Sequence, residues 1–288
     1  MASAARNDRG PATGADTGYE SFTFALADGI AHIELCRPEA LNTMHEPFWR
    51  ELPEAFAAID ADSRVRAVVV SSTGRHFSAG LDLNWAGSTL GDRHPDPGRA
   101  REQFRRHVKT MQETFTAVDR CRVPVIAAVQ GGCIGGGVDF VTACDIRLGS
   151  ADCFFTIQEV NIAIVADVGT LQRIPYLLPQ GLIRELAFTG RRFPAAEALR
   201  FGFVNSVHET REATIEAAFA MAREIAAKSP LAIAGIKQVL NAGRDLSIEQ
   251  GLEYVATWNA AMLQGEDMKR AVVAQMQKGT ASFDDLAP

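Results

Sequence analysis

Positive charge is in deficit, cysteine is sparse and no long uninterrupted apolar run occurs in this chain of 288 residues, and each shortage excludes a class of function. With 29 Lys and Arg against 35 Asp and Glu, the net charge is −6, so the overall field repels a phosphate backbone. No nucleic-acid partner is therefore expected, and any anionic ligand must be held by a local site. The five cysteines, Cys36, Cys121, Cys133, Cys144 and Cys153, form no CxxC pair and have no histidine at metal-ligand spacing. That pattern predicts neither a disulfide framework nor a metal centre, but reduced, buried thiols. The most apolar stretch, Val123 to Val138, is broken by Pro124, Gln130 and glycines, too short for a membrane span and suited to a core. The N-terminus lacks an apolar secretory segment, and residues 1–19 read as a disordered leader.

What is present fits a globular chain with a large core: 47% of residues are hydrophobic and 22% charged. Two short strands are predicted at Phe22 to Leu26 and Ile30 to Cys36, joined at Asp28-Gly29, which supplies the positive φ angles of a tight hairpin. Phe48, Leu52, Phe56 and Ile59 recur at helical spacing within Glu46 to Ala61, and Val65 to Ser71 follows as a buried strand. A polar loop over Thr73 to Gly98, a helix from Arg101 to Cys121, a strand over Pro124 to Val129 and another beginning at Cys144 continue an alternation that implies parallel crossovers. From Pro179 the pattern turns helical, at Thr210 to Lys228, Pro230 to Ala242, Ser247 to Leu263 and Asp267 to Gln277. The expected division is a core over residues 20–205 and a helical region over 206–288.

Three segments carry possible chemistry. Gly131 through Asp139 places a glycine cluster between a strand and a helix, where amides point outward and a ligand can approach the backbone. The same cluster also suits close helix packing. Three acids stand among apolar neighbours: Asp139, Glu159 and Asp167. Burial disfavours their ionised forms and moves their pKa values toward a range useful for proton transfer. Each has a structural alternative: Asp139 as a cap or ion-pair partner, Glu159 paired with an arginine, Asp167 as the N-cap of the turn from Val168 to Ile174. The third segment, His76 to Leu83, is a small-residue turn beyond a buried strand, where open α/β sheets place ligands, with His76 itself read as a surface residue.

Together these segments resemble the crotonase (enoyl-CoA hydratase/isomerase) superfamily from Phe22 onward. The motifs are the loop Phe77-Ser78-Ala79-Gly80-Leu81-Asp82-Leu83, the strand and turn from Ile126 to Gly137, and the pair Cys144-Asp145. Within the superfamily, residues 131–139, Ala143 to Arg147, Ala166 to Arg173 and Trp258 to Gln264 are similar to its dienoyl-CoA isomerase branch. The resemblance implies an α/β crotonase (ClpP-like) fold, in which repeated ββα units form a spiral core and C-terminal helices drive assembly into trimers or hexamers. It implies an oxyanion hole from the amides of Leu81 and Gly136, substrate contacts at Ser78, Ala79, Gly80, Asp82, Leu83 and Gly137, and catalytic acids at Asp139, Glu159 and Asp167. The implied partner is an acyl-CoA thioester, with coenzyme A as part of the substrate and no separate cofactor, metal or membrane partner. The implied reaction moves a proton from C2 to C6 of a 3,5-dienoyl-CoA, using Glu159 and Asp167 as a pair, with Asp167 favoured as the first base and Asp139 tuning both. Hydration of a trans-2-enoyl-CoA and a non-catalytic relative binding acyl-CoA or RNA stand as alternatives. The ending Leu286-Ala287-Pro288 is no receptor-read tripeptide, and a cytoplasmic location is expected.

Overall fold

A computed structural model describes residues 18–89 and 94–287, so almost all of the leader expected at 1–19 lies outside the described residues. Strands β1 (Phe22–Ala27) and β2 (Ile30–Leu35) pair antiparallel, and Asp28 and Gly29 turn the chain at φ 52° and 75°. Two successive positive φ values match the right-handed twist of the hairpin. Helix α1 (Glu46–Ala61) then crosses to β3 (Ala67–Ser72), which is parallel to β2 and buried along its whole length. The segment expected to be loop contains α2 (Leu83–Thr89), started by the Asp82 carboxylate, which accepts hydrogen bonds from the amides of Asn84 and Trp85. Helix α3 (Pro97–Arg120) begins four residues earlier than its apolar face suggests, capped by Asp96, which accepts from the Arg99 amide.

The remaining core repeats a strand, strand, helix unit. Strand β4 (Val125–Val129) leads to β5 (Gly132–Ile134) and α4 (Gly136–Ala143); β6 (Ile146–Ser150) leads to β7 (Phe154–Thr156) and the short helix α5 (Thr170–Arg173). After α6 (Gln180–Thr189) come β8 (Phe193–Pro194), α7 (Ala195–Arg200) and β9 (Ser206–His208). Each turn adds a strand to a six-stranded sheet of order β1-β2-β3-β4-β6-β9 and a strand to a small sheet of order β5-β7-β8. Ser78 pairs with Cys133 in a parallel bridge, so the segment after β3 starts the same stacking. That is the expected spiral. The short strands β5, β7 and β8 escape a reading by periodicity because two or three residues cannot display one.

The large sheet is covered on both faces. Val68, Val70, Val125, Ala127 and Val129 face a core shared with Phe48, Leu52 and Phe56 of α1 and Phe140 of α4. The alternate residues Ala67, Val69, Ile126, Ala128 and Leu148 pack against Ala218 and Ala222 of α8 (Arg211–Ala226). Helix α8 therefore belongs to the core, and a boundary drawn at 205–206 cuts ahead of it. The helices that stand off the sheets are α9 (Pro230–Ala242), α10 (Ile248–Met262) and α11 (Glu266–Met276), the last two having no buried residue.

Candidate active site

Two backbone segments meet at the mouth of the spiral. The loop after β3 is pinned by the Met44 amide donating to the Gly80 carbonyl at 2.8 Å and the Asp82 amide to the Met44 carbonyl at 3.1 Å. Gly80 has φ +83°, and a Cβ there would stand 2.6 Å from the Ile134 carbonyl and 3.1 Å from the Gly136 nitrogen. Only glycine lets the two segments approach this closely. A Cβ on Gly136 would lie 3.7 Å from the Leu81 nitrogen, so the amides of Leu81 and Gly136 are neighbours. Gly136 is the first residue of α4, whose first-turn amides have no helical acceptor, and among the described residues neither of the two amides has a hydrogen-bond acceptor. Two neighbouring unpartnered donors on residues that line one cavity suit a developing oxyanion. Gly80→Ala is accordingly expected to lower kcat by about 10²-fold, the cost of losing an oxyanion donor, and to lower the melting temperature; steady-state kinetics and calorimetry check both.

The three acids line the same pocket as those amides, a cavity of about 260 Å³ walled by apolar side chains including Trp49, Met111 and Ile164. Asp139, on the first turn of α4, is fully buried, and its Oδ1 accepts the Thr170 amide at 2.6 Å. It thus does cap a helix, α5, from another element, while Oδ2 has no partner. Burial pushes its pKa up to about 6. Glu159 opens a 3₁₀ turn, Glu159–Ile162, and its Oε1 lies 3.4 Å from where a Cβ on Gly135 would be. Among the described residues no arginine pairs with it; Oε2 is buried without a partner. Burial first, then the like charge of Asp139, pushes Glu159 up to about 7. Asp167 is no N-cap, because Gly169 holds that place ahead of α5. Its carbonyl accepts from Gln112 Nε2 at 2.7 Å, and desolvation raises its carboxyl's pKa against the opposing pull of His107.

The residues expected to touch substrate divide. Ala79 and Leu83 line the pocket. Ser78 is buried behind it, donating to the Asn42 carbonyl at 2.8 Å and accepting from the Gly80 amide at 3.1 Å. Gly137 packs against Ser78 and Cys133, and Asp82 caps α2. These three shape the loop and do not line the cavity. His76 takes no place in it either; its Nδ1 accepts the Gly132 amide at 2.8 Å. Sequence reasoning missed Trp49 and Met111, whose apolar identity suits core and pocket equally.

The Enoyl-CoA hydratase/isomerase family matches residues 26–286. The chain is 46% identical to the peroxisomal Delta(3,5)-Delta(2,4)-dienoyl-CoA isomerase of Arabidopsis thaliana, over 89% of its own length and 93% of the relative's. It is 45% identical to the mitochondrial protein of that name from Mus musculus, over 94% of its length and 84% of the relative's. A crystal structure of enoyl-CoA hydratase from Bacillus anthracis superposes with a TM-score of 0.84 at 27% identity, covering 92% of this chain and 99% of that one. The labels peroxisomal and mitochondrial overturn the cytoplasmic location expected from sequence. Such an address resides in a terminal targeting segment and not in the packing of the folded chain. The spiral of parallel strands, the paired amides and these matches agree: the chain belongs to the enoyl-CoA hydratase/isomerase, or crotonase, family and has its fold.

Proposed function

We propose that the protein is an enzyme of β-oxidation that isomerises 3,5-dienoyl-CoA to 2,4-dienoyl-CoA. The observation that carries this reading is the set of three carboxylates in one apolar pocket beside two unpartnered amides; the relatives named for that isomerisation support it. The thioester oxygen accepts from the amides of Leu81 and Gly136. A carboxylate removes a proton from C2, the charge spreads over oxygen, C2, C4 and C6, and a second carboxyl delivers a proton to C6. The double bonds move from C3 and C5 to C2 and C4 with no change of oxidation state, so the step calls for no redox partner.

With the carbonyl oxygen on the Gly136 amide, C2 is adjacent, and Glu159 is the acid that lies against Gly135. We assign Glu159 to C2 and Asp167 to C6, the reverse of the order favoured from sequence. Asp139, tied to the Thr170 amide, acts on the pair through its charge. Exposed Ile248, Leu252 and Met276 on α10 and α11 support self-association through the C-terminal helices, as a trimer or a dimer of trimers, which sedimentation would measure.

Incubation with a 3,5-dienoyl-CoA is expected to raise the ultraviolet absorbance of the conjugated thioester. Silence on that substrate alongside rapid loss of absorbance from a trans-2-enoyl-CoA would replace this reading with a hydratase.

A further inference from the structure

Arg173, which does not line the cavity of the three acids, closes α5 and is largely buried. Its guanidinium folds back over the start of its own helix: a Cβ on Gly169, which has φ +135°, would stand 1.8 Å from Nη1, and glycine carries none. From α3, Thr116 Oγ1 accepts from Nη2 at 3.3 Å and Asp119 Oδ2 lies 3.5 Å from Nε. Asp119 is itself held by Arg244, just beyond α9, whose Nη1 is 2.9 Å from both carboxylate oxygens. The next residue after Gly169 is Thr170, whose amide donates to Asp139.

We propose that Arg173 is a positioning residue: anchored on Thr116 and Asp119 of α3, it clamps the Gly169-Thr170 turn and thereby fixes the Thr170 amide on Asp139. The chain of contacts runs from Arg244 through Asp119 and Arg173 to the turn, and from the turn's amide into the pocket. A four-residue helix has too few internal hydrogen bonds to hold its first amide in place unaided, which is why an external clamp has something to do. The positive charge of Arg173 also opposes the effect of burial on Asp139. No part of this chain of residues touches the substrate in the reaction proposed above, on which the kinetic half of the test rests.

A double-mutant cycle tests it. Arg173→Met should lower kcat about ten- to a hundredfold, the penalty of a misplaced active-site group, with KM changed less than about twofold, and Arg173→Lys should recover most of the loss. In an Asp139→Asn background, Arg173→Met should cost almost nothing further, because the contact it serves is already altered. The same factor in both backgrounds would mean Arg173 is scaffold and would overturn the proposal. If Arg173→Met does not fold, Asp119→Asn, which loosens the same guanidinium from α3, takes its place in the cycle with the same two outcomes. Infrared difference spectra give a readout that needs no turnover. The carboxyl bands of Asp139, assigned by their loss in Asp139→Asn, should shift in Arg173→Met, and unchanged bands overturn the clamp. A wild type inactive on the diene, with the band shift still present in Arg173→Met, would instead remove the isomerase reading and leave the clamp standing.

Discussion

Glu159→Gln is expected to cut isomerisation by about 10²- to 10⁴-fold, the usual contribution of a positioned acid or base, and at the same time to raise the melting temperature at pH 8. The two effects share one cause. Glu159 sits in an apolar wall with Oε2 unpartnered and Asp139 nearby, which pushes it up to about 7 from the ordinary 4.5. The folded state therefore binds its proton more tightly than the unfolded chain. That contribution to stability is fully present below pH 4.5 and is lost as pH rises through 7. Above that range the ionised carboxylate costs on the order of 3 kcal/mol relative to the unfolded reference. Glutamine keeps the shape and removes the charge. The stability difference between variant and wild type should be small at pH 5 and grow by several degrees of melting temperature at pH 8. The wild type's kcat/KM should correspondingly be bell-shaped in pH, because Glu159 must be ionised to take a proton from C2 while Asp167 must be protonated to deliver one to C6. Calorimetry at the two pH values decides the matter: a variant no more stable than wild type at pH 8 would show that Glu159 is not held in the strained, desolvated state that its chemistry requires.

That balance explains which parts of the site could be read from sequence. A carboxylate flanked by Val138 and Phe140, or by Ala166 and Val168, contradicts its surroundings, and such contradictions mark Asp139 and Asp167 without any coordinates. Glycines between a strand and a helix point in the same way to Gly136. The oxyanion pair itself was not legible from spacing, since Leu81 and Gly136 are 55 residues apart and become neighbours only because the spiral stacks Ser78 on β5. Only resemblance to a family joined them beforehand. The same limit applies to Arg173, an arginine on a short polar helix whose reach to Asp119 depends on how α3 lies across the core.

The large sheet was legible for a different reason. Its central strands β3 and β4 are rich in valine and buried along their whole length, so their apolar runs announce themselves, and the hairpin is fixed by Asp28-Gly29. Helix α8 falls within the helical region expected over 206–288 yet packs on the sheet, because a helical pattern does not say what its apolar stripe meets. Its stripe is alanine, at Ala218 and Ala222, and small side chains are what allow a helix to lie close against a flat sheet. Ser78, Asp82 and Gly137 carry the family motif yet stand behind or beside the cavity. A motif records what a loop needs in order to form as well as what the ligand touches.

Asp167→Asn is expected to separate the two halves of the reaction. Glu159 lies against Gly135, next to the Gly136 amide, and so serves the carbon beside the carbonyl; Asp167, at the end of the apolar stretch 160–166, is left to serve the far carbon. Removing its proton leaves the first half intact: the two amides still stabilise the enolate and Glu159 still exchanges the C2 hydrogen. In deuterated water, the Asp167→Asn variant should produce 2,4-dienoyl-CoA about 10²- to 10⁴-fold more slowly while incorporating deuterium at C2 of the recovered 3,5-dienoyl-CoA at a rate within a few fold of wild type. Glu159→Gln should lose exchange and product together. Mass spectrometry of the recovered substrate reads both. The mirrored pattern, with exchange lost in Asp167→Asn and kept in Glu159→Gln, would exchange the two acids' ends, and full product formation by Asp167→Asn would remove that acid from the relay. The test discriminates because a proton shift from C2 to C6 needs two separated groups, whereas exchange at C2 needs one group and a place for the negative charge.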